Sequence, residues 1–243
     1  DTGQQNHAGG DMMVKGIVFD LDDTLYDYSI LEPKAAEAVK EYAAEKLCIK
    51  KSVFDDVLRE AKCAVKKQLH DSASGHNRLL YYQKVLELLN YTSVSEALVM
   101  EELYWSYMLE HMELREGAEE LLEYCSRNGM KIGICTDLTA QIQLRKVQKL
   151  GLEKWLDCLV TSEEAGKEKP APVMFQLCLD KMKLDSREVL FVGDSYERDV
   201  EGARKSGMNV VWLTEKPVRR MPEGCIQTAD FEGVKEVLER GFI

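Results

Sequence analysis

Residues 17–24, Ile-Val-Phe-Asp-Leu-Asp-Asp-Thr, place three carboxylates at the end of an apolar run. Gly16-Ile17-Val18-Phe19 has the unbroken hydrophobicity of a buried strand. It stops at Asp20, and Asp22 and Asp23 follow. Carboxylates gathered at a buried strand end repel one another and lose hydration. A cation stabilises such a group, and a hard divalent ion such as Mg2+ suits oxygen ligands. The carboxyl ends of parallel strands are also where open α/β sheets place ligands. A calcium loop fails on spacing: an EF-hand starting at Asp20 needs glycine where Leu25 stands and glutamate where Leu31 stands.

Three further segments carry candidate chemistry. Met130-Lys131-Ile132-Gly133-Ile134-Cys135 is a second apolar run and ends in Thr136. Gly166-Lys167-Glu168-Lys169-Pro170 offers two lysines, Lys169 directly before a proline. Val189-Leu190-Phe191-Val192-Gly193 leads into Asp194, Ser195 and, four residues on, Asp199. With Asp20, Asp22 and Thr24 in an Asp-x-Asp-x-Thr pattern, these four segments, in this order, resemble the motifs of the haloacid dehalogenase superfamily. The resemblance runs over nearly the whole chain from about Val14.

That resemblance implies a phosphoryl transfer through the carboxylate of Asp20 as nucleophile, which splits one displacement into two. Asp22 would be the acid/base, protonating the leaving oxygen and then activating water. Dehalogenases of this branch usually lack an aspartate at Asp22, so its presence tilts the reading toward phosphatases and phosphomutases. Thr136 would donate to a phosphoryl oxygen, and Lys169 would pair with the nucleophile and the phosphoryl group; Lys167 is its rival. Mg2+ would be held by Asp20, the main-chain oxygen of Asp22, and Asp194, with Asp199 as an indirect ligand or as a partner for Lys169. Ser195 either bonds nearby carboxylates or caps its loop. Relatives often carry asparagine where this chain has Asp137, an anion beside the expected phosphate. Its side chain turns away so that only its N–H serves the phosphate, or it bonds a loop, or it accepts from a substrate hydroxyl.

These residues need a scaffold. From Gly117 onward helices alternate with apolar strands: helices over 118–128, 140–150 and 200–206, each stopped by a glycine, and strands over 131–135, 158–161, 189–192 and 209–213. Such alternation implies a parallel sheet with helices on its faces. Between the first strand, 14–19, and this region lies a stretch with helical periodicity only: helices over 31–47, 53–69, 78–89 and 96–110, with Ser52 and Ser95 as N-caps and a loop at 71–75. The expected fold is α/β, a Rossmann-like parallel-sheet core (12–29 and 112–243) with an inserted all-helical cap domain (30–111). The polar segment 1–11 is expected to be disordered. A helical insert after the first motif resembles the superfamily's C1 cap, which would lie over the catalytic strand ends and exclude water. His76, Asn77 and Arg78 are the compact polar set in it, and Arg78 could bind a second anionic group of a substrate; a solvated helix face is the other reading. Tyr26 and Tyr28 would line the cavity or pack, and Leu103-Tyr104-Trp105 reads as cap core.

Composition narrows the function. The chain has 243 residues, 45% hydrophobic, with net charge -11 and no long basic run, so nucleic acid is not an expected partner. No stretch of ~18 apolar residues predicts a membrane span, and no signal peptide is visible. Seven scattered cysteines without C-x-x-C spacing read as buried thiols in a reducing, cytoplasmic setting. Nothing in the sequence fixes an oligomeric state. The expectation is a cytosolic, Mg2+-dependent phosphatase acting on a small phosphorylated metabolite, a sugar phosphate or a nucleoside monophosphate. A phosphomutase shares the motifs and is the alternative; a non-catalytic binding protein retaining the fold is more distant, because Asp20, Asp22, Lys169 and Asp194 are all intact.

Overall fold

The computed structural model describes residues 14–70, 72–216 and 224–241. The expectation for 1–11 lies outside the described residues. Six parallel strands form one sheet in the order β3-β2-β1-β4-β5-β6: β1 Gly16–Phe19, β2 Lys131–Thr136, β3 Cys158–Thr161, β4 Val189–Gly193, β5 Asn209–Leu213 and β6 Cys225–Thr228. β1 is central and wholly buried, as its unbroken apolar run requires. Alternate residues serve the two faces. Ile17, Phe19, Leu190 and Val192 join one core layer, while Val18, Val189 and Phe191 join the other.

Four helices follow β1 before the chain returns to β2: α1 Tyr28–Lys46, α2 Lys51–Leu69, α3 Arg78–Leu88 and α4 Glu96–His111. Ala35, Val39 and Ala43 of α1 pack with Met100, Tyr104 and Met108 of α4, and this packing is continuous with the core on one face of the sheet. The remaining helices are α5 Ala118–Arg127, α6 Ala140–Lys149, α7 Ser162–Ala165, α8 Pro172–Met182, α9 Glu201–Lys205 and α10 Phe231–Arg240. The two chain crossings into the helical unit are tied together. Arg115 donates its N–H to the Leu25 carbonyl at 2.9 Å, and its guanidinium lies 3.3 Å from Asp27.

Local expectations are adjusted in three places. α1 begins at Tyr28, not at 31, because the Asp23 carboxylate accepts the Ser29 N–H at 2.7 Å and starts the helix early. α2 begins at Lys51, so Ser52 lies inside the helix and caps nothing; Ser95 precedes α4, but its side chain makes no capping bond. Cys48 and Cys63 are exposed, on the solvent side of the helical unit, whereas Cys125, Cys135, Cys158 and Cys178 are buried.

Candidate active site

The register brings the motifs together. Phe19 pairs with Ile134 on one side and Val192 on the other, so Asp20, Thr136 and Asp194 emerge from three adjacent strand ends. The sheet order reverses direction between β1 and β4, which is where open α/β sheets leave a crevice. A cavity of about 310 Å³ opens there, lined by Asp20, Asp22, Thr136, Asp137, Lys169 and Asp194 among others, with Tyr28, His76 and Arg78 from the helical unit.

Asp20 is nearly inaccessible and is held by Lys169, whose Nζ lies 2.5 Å from its Oδ1 and 2.7 Å from Asp199 Oδ1. The Thr24 hydroxyl sits 3.3 Å from Asp20 Oδ2 and 3.2 Å from Asp194 Oδ1, and accepts the Asp194 N–H at 3.2 Å. Trp212 fixes the same loop by donating its indole N–H to the Asp194 carbonyl at 2.8 Å. Asp199 reaches inward from the turn Tyr196–Val200 that precedes α9, and accepts the Ser195 N–H at 3.1 Å. It packs so tightly on Gly193 that a Cβ there would sit 2.4 Å from its Oδ2. Glycine at 193 is therefore a steric requirement of the site.

One ligand atom each from Asp20, Asp194 and Asp199 lies within 4.8 Å of the others. Burial pushes the Asp20 carboxyl well up against the pull of Lys169, and Asp199 and Asp194 push it further. Asp194 is pushed up to about 6 by burial and by the charges of Asp199 and Asp23. Lys169 is itself raised: burial opposes its charge, but Asp199 and Asp20 outweigh it. Acids and ammonium alike shift toward holding protons, so the cluster is short of positive charge. An all-oxygen donor set with that deficit fits a hard divalent cation.

Asp22 does not join this cluster through its side chain. Its carboxylate turns to α6, where Lys146 Nζ lies 2.6 Å from Oδ1, Tyr26 donates its hydroxyl to the same oxygen, and Gln143 Nε2 lies 3.3 Å from Oδ2. Burial alone would raise the Asp22 carboxyl, but the charge and hydrogen bond of Lys146, with Tyr26 and Gln143, lower it. Gln143 also donates to Thr136 Oγ1 at 2.5 Å and to the Asp137 carbonyl at 2.7 Å. Lys146 and Gln143 have no counterpart among the sequence candidates. Their signal is nonetheless present: 142, 143, 146, 147 and 150 form the buried stripe of this helix, and two of the five are polar.

Asp137 turns away from the expected phosphate position. Its Oδ1 accepts the Lys169 N–H at 2.9 Å, and its Oδ2 lies 3.3 Å from the Arg198 guanidinium. It bonds the lysine loop, one of the three readings its sequence position allowed. The following residue, Leu138, has φ of 89°, a costly conformation for a leucine. Ser162 holds it by accepting the Leu138 N–H at 2.9 Å and donating to its carbonyl at 3.4 Å. The Ser195 side chain caps the turn by accepting the Arg198 N–H at 3.4 Å, while its backbone serves Asp199.

The polar set of the helical unit divides. Asn77 caps α3, accepting the N–H groups of Leu79 and Leu80 at 2.9 and 3.4 Å. His76 lies 3.3 Å from Glu168, joining the helical unit to the lysine loop. Arg78 enters the cavity wall. It donates to the His76 carbonyl at 2.7 Å and to the Tyr28 and Tyr104 hydroxyls, with Tyr28, Tyr81, Tyr104 and Trp105 rings 5.3–5.9 Å from its guanidinium carbon.

The profile of the haloacid dehalogenase-like hydrolases matches residues 14–207. The chain belongs to this family, and within it to the phosphatase branch. It is 37% identical over 201 residues to a ribulose-1,5-bisphosphate 5-phosphatase of Halopiger xanaduensis, covering 82% of this chain and 84% of that one. It is 28% identical over 240 residues to a glyceraldehyde 3-phosphate phosphatase of Methanocaldococcus jannaschii, covering 93% and 96%. In fold it resembles a crystal structure of a 2-haloacid dehalogenase from Pseudomonas syringae pv. Tomato, with a TM-score of 0.74, 23% identity and coverage of 94% and 99%. Among the described residues no helix is long and apolar enough to cross a membrane.

Proposed function

We propose that this protein is a Mg2+-dependent phosphatase that hydrolyses a small sugar phosphate through an aspartyl-phosphate on Asp20. The observation that carries this reading is the set of buried Asp20 and Asp199, both paired with Lys169, and half-buried Asp194 at one wall of the cavity. The sugar class rests on the relatives, which act on ribulose 1,5-bisphosphate and glyceraldehyde 3-phosphate.

Asp20 and Asp194, with the main-chain oxygen of Asp22, would hold the metal, and Asp199 would anchor Lys169 beside it. Mg2+ when bound offsets negative charge on the nucleophile and the transferring phosphoryl group. Lys169 steers the Asp20 carboxylate and meets the phosphoryl oxygens as a point charge. Thr136, its hydroxyl oriented by Gln143, donates to another. An Asp20 oxygen bonds to phosphorus as the bond to the leaving oxygen breaks, and that oxygen takes a proton from Asp22. In the second half, Asp22 takes a proton from water, the water oxygen attacks phosphorus, and Asp20 is released with inorganic phosphate. The clamp from Lys146, Tyr26 and Gln143 favours the ionised Asp22 that accepts the water proton in the second half; the first half draws on the protonated form, which that accepted proton regenerates for the next turnover. The helical unit acts as a cap that closes this chemistry from solvent and contacts the leaving group.

Phosphate release from a panel of sugar phosphates in Mg2+ tests the reading. Asp20→Asn should abolish turnover, and beryllium fluoride with Mg2+ should inhibit the wild-type protein by mimicking the phosphorylated aspartate. Substantial turnover in Asp20→Asn refutes the nucleophile, and isomerisation without phosphate release assigns a mutase instead.

A further inference from the structure

The basic side chains on the cavity wall are His76, Arg78, Lys169 and Arg198. Three of them are matched by acids. Lys169 lies between Asp20 and Asp199, Arg198 against Asp137, and His76 against Glu168. Behind the wall, buried Lys146 is matched by Asp22. Arg78 alone among these has no carboxylate of a described residue within 4 Å. Its contacts are a main-chain carbonyl and two phenol oxygens, all neutral.

The surroundings make that imbalance costly. A half-buried guanidinium ringed by four aromatic side chains has given up much of its hydration, and neutral acceptors replace it only in part. Lys146 lies over two of the same rings, 5.7 Å from Tyr28 and 5.2 Å from Trp105, so two cations share one aromatic patch and a single carboxylate. Arg78 also occupies the first position of α3, where the helix dipole disfavours a cation. Asn77 already satisfies the first helical N–H groups, so the arginine contributes nothing to that end. A residue set against its local preference, unpaired, in the wall of a cavity is a candidate for binding something that is not in the chain.

Its neighbourhood selects the ligand's chemistry. The opposite wall carries Asp20, Asp194, Asp199 and Lys169, which accounts for one phosphoryl group and one cation. We propose that Arg78, framed by Tyr28 and Tyr104, is a second anion subsite, and that the substrate carries a further anionic group, a second phosphate or a carboxylate, on the part that leaves. This rests on the phosphatase reading and narrows it: a neutral leaving group would leave Arg78 without a counter-charge. A phosphate or carboxylate accepts two parallel N–H bonds from a guanidinium, and the Tyr28 and Tyr104 hydroxyls stand beside it as further donors.

The experiment pairs substrates that differ by one anion. Ribose 5-phosphate is compared with ribose 1,5-bisphosphate, and glycerol 3-phosphate with 3-phosphoglycerate, each with Mg2+, with 4-nitrophenyl phosphate as a plain ester. A charge-assisted contact corresponds to about ten- to a hundredfold, so kcat/KM should favour the member carrying the second anion in at least one pair by that factor. The bisphosphate and the phosphoglycerate pairs tell the two anions apart. Arg78→Gln should bring the ratio close to one, and Arg78→Lys should keep part of it. The same preference should appear as Kd in calorimetry on Asp20→Asn, where no turnover is needed. Phosphate release with equal kcat/KM within both pairs, or a ratio unchanged in Arg78→Gln, overturns the subsite and leaves the phosphatase reading standing. No release from any ester, with the binding preference and its loss in Asp20→Asn/Arg78→Gln both present, overturns the phosphatase reading and supports the subsite.

Discussion

Replacing Lys146 with methionine tests whether the Asp22 clamp is built on charge. Lys146 is completely buried, its Nζ lies 2.6 Å from Asp22 Oδ1, and among the described residues its charge is the only one paired with that carboxylate. Methionine matches the length of the stem and keeps its packing against Tyr26, Tyr28 and Trp105. What it removes is the ammonium. Breaking a buried ion pair from one side costs about 3–5 kcal/mol, because the other charge remains without its partner. Asp22 keeps 23% side-chain exposure and the donors Tyr26 and Gln143, which places the loss near the lower end, about 3 kcal/mol. For a chain of this size that corresponds to a fall in Tm of about 6–12 °C. Urea denaturation of Lys146→Met, Asp22→Asn and the double variant measures the coupling directly. The double variant should regain about 2 kcal/mol relative to the sum of the singles, since neither charge is then stranded. A loss below about 1 kcal/mol in Lys146→Met, or additive single effects, would show that Tyr26, Gln143 and solvent suffice, and that the pair is incidental.

Three further outcomes follow from the site. Asp22→Asn should lower kcat by about 10²–10⁴ on alkyl phosphates and by less on nitrophenyl phosphate, whose leaving group needs little proton help; equal losses on both would count against the acid role. Mg2+ should raise the Tm of chelator-treated protein, as any ligand of the native state does, and should restore activity where Ca2+, with longer and looser coordination, does not; a Tm indifferent to Mg2+ removes the metal site. Gly193→Ala should displace Asp199, since the new Cβ would lie 2.4 Å from its Oδ2, costing about 1–3 kcal/mol as an overpacked site and weakening the Mg2+-dependent Tm rise; retention of both would mean that the turn Tyr196–Val200 yields freely.

Much of the catalytic floor was legible because the sequence writes it at strand ends. Asp20, Thr136 and Asp194 each end or follow an apolar run, and the parallel register then brings them to one edge without further information, while Lys169 was marked by its place before Pro170. The edge strand β6 was not legible: all four of its residues are only partly buried, and Gln227 and Thr228 blur its pattern. α8 was not singled out although it buries Met174, Phe175, Cys178, Leu179 and Met182 at helical spacing and exposes Gln176, Asp180 and Lys181; the exposed Val173 and partly buried Leu177 blur the boundary between its two faces. α6 shows the limit most clearly. Gln143 and Lys146 occupy the buried stripe, while Leu144 is more than half exposed. Hydrophobicity turns Ile142, Val147 and Leu150 inward but gives no reason for Gln143 and Lys146, whose inward placement is accounted for by their contacts with Asp22.

The two walls of the cavity differ in a way that bears on selectivity. The strand-end wall gathers three carboxylates around one lysine and so favours a cation together with a phosphoryl group. The wall from α1, α3 and α4 is aromatic and carries Arg78, which has no acid among the described residues within 4 Å. A monoester with a neutral leaving group would satisfy the first wall and leave the second wanting. Both walls share a path of attachment: Asp23, in the first motif, starts α1, and Arg115 closes the returning chain onto Leu25 and Asp27. His76 and Glu168 add a contact from the helical unit to the loop that carries Lys169. Any movement of the helices that opens the cavity must therefore work against contacts made by the loops that hold the nucleophile and its lysine. On the proposed reading, a second anion bound at Arg78 would meet the helical unit that these contacts tie to the loops of Asp20 and Lys169, which would give it a route to affect kcat as well as KM.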